Sequence, residues 1–302
     1  MKKKSTSTLR AAFGDKLQEN ISLAAYTSAR IGGKADALIV ANSADELAEI
    51  VSQLWEMDTP YLVLGGGSNL LISDAGFRGV VVLNKAKAIR FIEDEDPSVL
   101  VESGATMTRL ANQAATKGLA GIEWAATVPG TVGGAVYGNA GAFGGDMAGS
   151  LLHVELLTEA GREQWDVSEL AYAYRNSKLK RDAVKCAILS AKIKLMNSEQ
   201  AEIQERMRSF IQKRKKTQPP GASMGSMFKN PEGDYAGRLI EAAGLKGTRI
   251  GNVEISTKHA NFFVNHGETK ASDVVALIEL VQKTVFEKFD TRLELEIEVV
   301  GE

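Results

Sequence analysis

What the chain lacks narrows its possibilities first. Cysteine occurs once in 302 residues, at Cys186, so no internal disulfide can form and a reducing cytoplasm is the expected setting. Histidine occurs three times, at His153, His259 and His266. With one thiol and no close histidine spacing, neither a zinc site nor a Ser–His–Asp triad is predicted, and no metal is expected. No segment reaches the roughly 20 apolar residues that span a bilayer. Neither sign of charge dominates: 36 Lys and Arg face 38 Asp and Glu, a formal net charge of -2. That balance argues against a dedicated nucleic-acid or anionic-membrane binder. The opening MKKKSTSTLR has lysines but no apolar core behind them, so residues 1–19 are expected to form a solvated, frayed tail.

Against those absences stand 29 glycines and a 44% hydrophobic fraction, in a chain long enough to bury sizeable cores in two or three domains. Strand-like and helix-like segments alternate. DALIVA (36–41) reads as a strand. A helix follows over SADELAEIVSQLWEM, where Ser43 and Glu46 have capping-box spacing and Leu47, Ile50, Val51 and Leu54 recur at helical intervals. YLVL, GVVVLN and SVLVESG predict short strands, and Thr108 to Lys117 a helix stopped by Gly118. LLHVELLT and CAILSAKIKL alternate as strands, which leaves His153 expected in the core.

From Asn197 the character changes. NSEQAEIQERMRSFIQKRKKT predicts a long charged helix with Ile203, Met207, Phe210 and Ile211 on one face, ending before Pro219-Pro220. DYAGRLIEAAG and ASDVVALIELVQKTVFEKF predict further helices, and NFFVN a strand. RLELEIEVV predicts an alternating closing strand with Leu293, Leu295, Ile297 and Val299 on one face. A domain boundary near 197 follows.

Glycine is concentrated where its entropy cost needs a reason. LGGGSNLLISD (64–74) follows an apolar strand, and TVPGTVGGAVYGNAGAFGGDM covers 127–147. A P-loop is excluded: in SARIGGKAD, Ala35 stands where the hydroxyl residue belongs. A Rossmann fingerprint is excluded too. Leu70 replaces the third glycine after Gly65 and Gly67, and LLIS reads as strand rather than helix. Two readings stay open, a generous strand–turn–strand and a main-chain anion site. In the second, Pro129-Gly130 and Gly133-Gly134 expose successive N–H groups, and a short helix from Thr131 faces a diphosphate. Two such loops in one domain suggest a large nucleotide with a pyrophosphate at its centre.

Chemistry-bearing residues gather in three places. YAYRNSKLK holds Tyr174 and Arg175, where an ordinary surface cation is the default. GASMGSMFKNP sets Ser226 between Gly225 and an apolar pair, followed by Lys229, Asn230 and Pro231. That arrangement suits a polar turn, and equally an anionic substrate. In the closing strand Glu294, Glu296 and Glu298 alternate, as a solvated strand face would.

Taken in order, YTSARIGGKAD, LGGGSNLLISD, TVPGTVGGAVYGNAGAFGGDM, YRNSKLK, GSMFKNP and KHANFFVN resemble the UDP-N-acetylenolpyruvoylglucosamine reductases (UDP-N-acetylmuramate dehydrogenases). The resemblance runs from about Asn20 to Gly301, and the compact stretch between Arg175 and Ser226 is similar to the family's shorter second class. It implies an α+β fold. A two-lobed FAD-binding domain of the vanillyl-alcohol-oxidase (PCMH) type would cover 20–196, its lobes dividing near 90. A smaller α+β substrate-binding domain would cover 197–302.

The same resemblance implies that Gly65, Gly66, Gly67, Ser68, Asn69 and Leu70 wrap the FAD pyrophosphate. Thr127, Pro129, Gly130, Gly133 and Gly134 would continue the cofactor surface, with Asn139, Gly141 and Ala142 beyond them. Arg30 and Gly32, with Gly33, would approach from the first lobe. Ser68-Asn69 stands in a loop where many relatives place a flavin-linking histidine, so non-covalent FAD is implied. The implied reaction is NADPH-dependent reduction of UDP-N-acetyl-3-O-(1-carboxyvinyl)glucosamine to UDP-N-acetylmuramate, in peptidoglycan precursor synthesis. Hydride would pass from flavin N5 to C3 and a proton from Ser226 to C2, with Arg175 and Glu296 stabilising the intermediate. Beside an anion, Glu296 is expected to work protonated.

Tyr174, Lys216, Lys229 and Asn230 are the implied substrate contacts. Leu295 and Glu298 depart from the proline and the basic residue usual in the closing strand. The expected partners are the UDP-N-acetylglucosamine enolpyruvate and NADPH, without nucleic acid or membrane, for a monomeric cytoplasmic enzyme. An FAD-dependent oxidase of the same fold is the alternative, told apart by hydrogen peroxide production. A flavin- or nucleotide-sugar-binding protein without turnover is a further one, told apart by Ser226→Ala.

Overall fold

The computed structural model describes residues 6–301. The chain gathers into two compact units that interleave along the sequence. The first holds the chain up to Leu17, then Ile39–Gly66 and Val81–Arg214; the second holds Gln18–Leu38, Gly67–Val80 and Lys215 onward. This grouping by contact is a different partition from the linear blocks 20–196 and 197–302. The helix Gln200–Thr217 shows why, since it buries Ile203 and Met207 in the first unit's core.

In the first unit an antiparallel sheet runs in the order Gly161–Asp166, Leu151–Thr158, Ala187–Lys194, Ser98–Glu102, Ile89–Ile92. Its core joins Val99, Val101, Val154 and Leu156 to Trp124, Val132 and the helix Met107–Thr116, which buries Met107, Leu110, Ala111 and Ala114. Each large side chain so buried contributes about 1.5–3 kcal/mol. Thr106 starts that helix by accepting from Arg109 N–H at 3.2 Å, and Gly118 at φ +68 stops it. The helix Ala44–Glu56 begins at Ser43, whose Oγ accepts from Glu46 N–H at 3.1 Å. The reciprocal bond is displaced by one residue: Glu46 Oε2 takes the Asn42 amide, at 2.8 Å.

Two expectations are corrected in this unit. The frayed tail gives way, from Thr6 on, to the helix Thr6–Phe13, because Leu9, Phe13 and Leu17 recur at helical intervals and are all buried. Residues 1–5 lie outside the described chain. His153 is half-buried rather than in the core, because a register shift between Leu151 and His153 moves it off the buried parity. Burial, and then the Lys192 charge opposite, lower its pKa.

In the second unit the helix Ala271–Phe289 buries Val274, Leu277, Ile278, Val281 and Val285. That stripe shares a core with Phe228 and Phe263, whose rings meet edge to face at 6.2 Å. The strands Arg249–Ile250, Val253–Ile255 and Phe263–Asn265 form an antiparallel meander. Leu70–Ile72 pairs in parallel with Glu298–Val300. The closing strand is thereby corrected as well. Regular pairing covers Glu298–Val300 alone, with a bend at Glu296 and Ile297. Leu293 and Ile297 are buried, whereas Val299 turns out and is 51% exposed. Among the described residues no helix is long and apolar enough to cross a membrane.

Candidate active site

The two glycine-rich loops meet through bare main chain. A Cβ on Gly65 would collide with the Thr131 side chain, and one on Gly66 would lie 3.1 Å from Gly130 Cα. Two segments distant in sequence thus touch where a side chain has no room at Gly65 and little at Gly66. Gly130, at φ +108, accepts from Met107 N–H at 3.2 Å. Val132 and Gly133 donate to Ala105 and Ser103 carbonyls at 2.9 and 2.8 Å, which seats the helix Val132–Gly138 behind buried Thr131. Gly66, Pro129 and Gly134 remain exposed. At Thr127 the carbonyl and hydroxyl both accept from Arg214 Nη1, the latter at 3.2 Å. Burial lowers the Arg214 pKa.

Within the second unit Gly67 adopts φ +57, and a Cβ there would strike the Tyr26 carbonyl. Its own carbonyl accepts from Ser28 N–H at 3.0 Å. Arg30, at φ +57, is exposed on a turn closed by its N–H to the Thr27 carbonyl at 3.1 Å. The following Gly32–Gly33 packs on Ile72 and on the Asp74 main chain, beside the strand Leu70–Ile72. In the first unit, the bare main chain where Gly65 and Gly66 meet Thr131 and Gly130, with Gly66 exposed, suits the diphosphate of a large nucleotide cofactor such as FAD. Ser68-Asn69 offers no imidazole for a covalent flavin link.

Asn139 and Gly141 connect the second loop to Arg175. Asn139, 5% exposed, donates from Nδ2 to Ala173 O at 2.9 Å and accepts from Ala148 N–H at 3.0 Å. Gly141–Ala142 pairs with Gly145–Asp146 across a Phe143-Gly144 turn, both at positive φ as a tight hairpin requires. Ala173 and Asn176 exchange bonds of 3.0 and 3.1 Å, so Tyr174 and Arg175 form the tip of another tight turn. Arg175 is held there at φ +52, donates from Nη2 to Gly141 O at 2.8 Å and lies 5.2 Å over the exposed Tyr174 ring. A left-handed arginine costs about 1–3 kcal/mol, and strain of that kind collects at working sites. An open cavity of about 330 Å³ is lined there by Asn139, Asp146, Ala148 and Tyr172 to Arg175.

Ser226 follows Gly225, which takes φ +79, and precedes the buried pair Met227 and Phe228. This turn is clamped from two sides. On one side Asn261, 3% exposed, grips Phe228 at both ends: its Oδ1 accepts from Phe228 N–H at 2.9 Å and its Nδ2 donates to Phe228 O at 2.8 Å. Met227 N–H donates to Asn261 O at 2.8 Å. On the other side Glu296 N–H donates to Met227 O at 2.9 Å, Lys229 N–H to Glu294 O at 2.8 Å, and Phe228 bridges Leu295.

Ser226 and Glu296 are therefore brought onto adjacent segments, with Lys229 Nζ 3.3 Å from Glu294 Oε2. Asn230 Oδ1 accepts from Ala236 N–H at 3.2 Å, at the start of the helix Ala236–Ala242. Lys216 is exposed in the last turn of Gln200–Thr217. Asn261 and the side-chain role of Asn69 escaped sequence reasoning. KHANF marks the first as a motif, but no spacing signals a bond to backbone 33 residues away.

Residues 212–300 match the sequence profile of the C-terminal domain of UDP-N-acetylenolpyruvoylglucosamine reductase, and residues 35–165 that of an FAD binding domain. A UDP-N-acetylenolpyruvoylglucosamine reductase from Chloroflexus aggregans is 42% identical over 94% of this chain and 97% of its own. One from Rubrobacter xylanophilus is 44% identical over 92% and 93%. The crystal structure of UDP-N-acetylenolpyruvylglucosamine reductase from Thermus caldophilus matches at a TM-score of 0.80 and 36% identity, covering 94% of this chain and 100% of that one.

Proposed function

The chain belongs to the UDP-N-acetylenolpyruvoylglucosamine reductase family and is an FAD-binding oxidoreductase, and from that premise we propose that it makes UDP-N-acetylmuramate for peptidoglycan synthesis. Its substrates would be UDP-N-acetyl-3-O-(1-carboxyvinyl)glucosamine and NADPH. The observation that carries the reading is the pairing of the Ser226 turn with the Glu296 segment, through Met227 O and Glu296 N–H at 2.9 Å. It gives a proton donor and a carboxyl a shared rigid frame.

Gly65 to Leu70 and Thr127 to Ala142, with Arg30 and Gly32, would hold FAD without a covalent bond. Bound FAD, reduced by NADPH, would supply a hydride to the vinyl C3 of the enolpyruvyl group. Negative charge then develops at C2 and spreads onto the substrate carboxylate. Ser226 donates the proton that C2 requires. A serine is a weak acid, so its role depends on neighbours that stabilise the charge it leaves. Arg175 carries the fixed cation for the carboxylate and the developing enolate, an interaction that strengthens as charge appears. The turn that forces Arg175 to φ +52 supports this role, because it prearranges the guanidinium before substrate arrives. Glu296, in its protonated form, is the third member of the set. Lys216, Lys229, Asn230 and Tyr174 would meet the nucleotide diphosphate and sugar. The enzyme would act as a monomer in the cytoplasm.

Substituting Ser226→Ala separates the two halves of this reading. Product formation is expected to fall about 10²–10⁴-fold, while NADPH still bleaches the flavin at the parent rate. Unchanged turnover would remove Ser226 from its role, and hydrogen peroxide as the main product would favour an oxidase.

A further inference from the structure

The bend that breaks the closing strand falls at Glu296 and Ile297, and one residue grips the chain on both sides of it. Asn69 Nδ2 donates to Glu296 O at 3.0 Å, and Asn69 O accepts from Glu298 N–H at 2.9 Å. The second bond opens the parallel pairing of Leu70–Ile72 with Glu298–Val300. The first has no place in a regular ladder, because it uses a side chain where main chain would otherwise pair. Glu296 N–H is meanwhile donated to Met227 O, next to Ser226. Both peptide groups of Glu296 are thus fixed, one from the serine turn and one from Asn69.

We propose that Asn69 is a positioning residue for proton delivery: its amide sets the orientation of the Glu296 peptide, and through it the direction in which the Glu296 carboxyl is aimed. This inference rests on the reductase reading above. A straight strand would carry Glu294, Glu296 and Glu298 in a row on one face. The clamp turns that row at its middle member, leaving Val299 exposed and Ile297 buried. Asn69 is itself exposed, so its side chain fills no core space and its removal leaves no cavity. The bond to Glu298 uses main chain and survives any substitution at 69. The cradle proposed for FAD uses the main chain of the Gly65 to Leu70 loop, which Asn69→Ala keeps, while the substitution deletes the side-chain bond to Glu296 O.

The test uses the flavin-loaded protein and the variants Asn69→Ala and Asn69→Gln. Visible absorbance reads flavin content. Anaerobic stopped-flow separates flavin reduction by NADPH from flavin reoxidation by the enolpyruvyl substrate. In Asn69→Ala the loop main chain that would hold FAD stays in place, so flavin reduction by NADPH is expected to be the less affected half-reaction. Reoxidation should slow about tenfold or more, as a loss in kcat with KM within about threefold. The solvent deuterium isotope effect on that step should rise, because the proton transfer becomes limiting. Asn69→Gln, with an amide on a longer arm, should recover part of the rate. Loss of flavin, equal loss of both half-reactions, or unchanged reoxidation would each overturn the proposal.

A parent protein that the enolpyruvyl substrate cannot reoxidise sinks the reductase reading instead. The clamp is then judged by amide hydrogen exchange across 294–299 in the flavin-free protein. Exchange about tenfold faster in Asn69→Ala sustains it, and unchanged exchange overturns it.

Discussion

Arg175 occupies a backbone conformation that a β-carbon resists, at φ +52, in a turn fixed by the two Ala173–Asn176 bonds. Glycine would sit there without strain, so the arginine stands against a local preference of about 1–3 kcal/mol. Two effects oppose each other on replacement. Arg175→Gly relieves the strain but loses the bond to Gly141 O, itself worth roughly 1 kcal/mol. The variant is expected to unfold in urea within about 1 kcal/mol of the parent, yet to lose about 10²–10³-fold in product formation. Arg175→Lys, which keeps charge but not the planar fork, should fall between. Steep destabilisation with surviving turnover would make Arg175 a structural residue. The same logic separates Arg175 from Asn261, where buried amide bonds to Phe228 serve the fold and the serine turn together.

At the scale of elements, the helix Ala271–Phe289 is capped from far away in sequence. Asp74 accepts from Ala271 N–H at 2.7 Å and from Ser272 N–H at 3.0 Å. Burial alone would raise the Asp74 pKa; the amide bonds from Ser272 and Ala271 together outweigh it and hold the group below its ordinary value. The charged form is therefore favoured in the folded state. Its contribution is full above the unfolded pKa of about 3.9 and is lost as pH falls through the lower folded value. Asp74→Ala is expected to cost about 1 kcal/mol at neutral pH, and urea titrations should show the deficit narrowing toward pH 3. A deficit that ignores pH would assign it to packing.

The periodicity of Val274, Leu277, Ile278 and Val281 made this helix legible, but not its cap, which lies 197 residues upstream. The closing strand was misread for the same reason: its alternation continues through a bend at Glu296 and Ile297, where Asn69 of a distant loop bonds the chain on both sides. The helix at Thr6–Phe13 was missed because lysines and hydroxyl residues obscured a short Leu9, Phe13, Leu17 stripe. Turns were easier. Glycine beside Ser226 and in the two loops marks positive φ or close approach locally, where sequence records it. Side-chain bonds to distant main chain, as at Asn261, leave no such record.

For the whole molecule, acid is the condition that distinguishes these effects. His259, in the second unit, has its pKa lowered by burial and then by the Lys246 charge; His153, in the first, by burial and then by Lys192. Both favour the neutral form in the folded state. Their stabilisation is complete above the unfolded histidine value of about 6.5 and is lost as pH falls through the lower folded values. Acid thus weakens both units in one pH range, before carboxylates such as Asp74 begin to protonate. The sequence pI of about 6.1 lies in that range. Net charge vanishes where stability starts to fall, and near-neutral molecules associate readily.

Two causes then produce the same loss of soluble protein, and concentration separates them. Urea midpoints measured from pH 8 to pH 5.5 are expected to fall equally at dilute and tenfold higher protein, because titration is intramolecular. His259→Gln keeps an acceptor for the Asn261 N–H, which His259 Nδ1 now receives at 3.3 Å. With His153→Gln added, the midpoint should flatten across that range. A slope that survives both substitutions, or appears at high concentration alone, would assign the acid sensitivity to association instead.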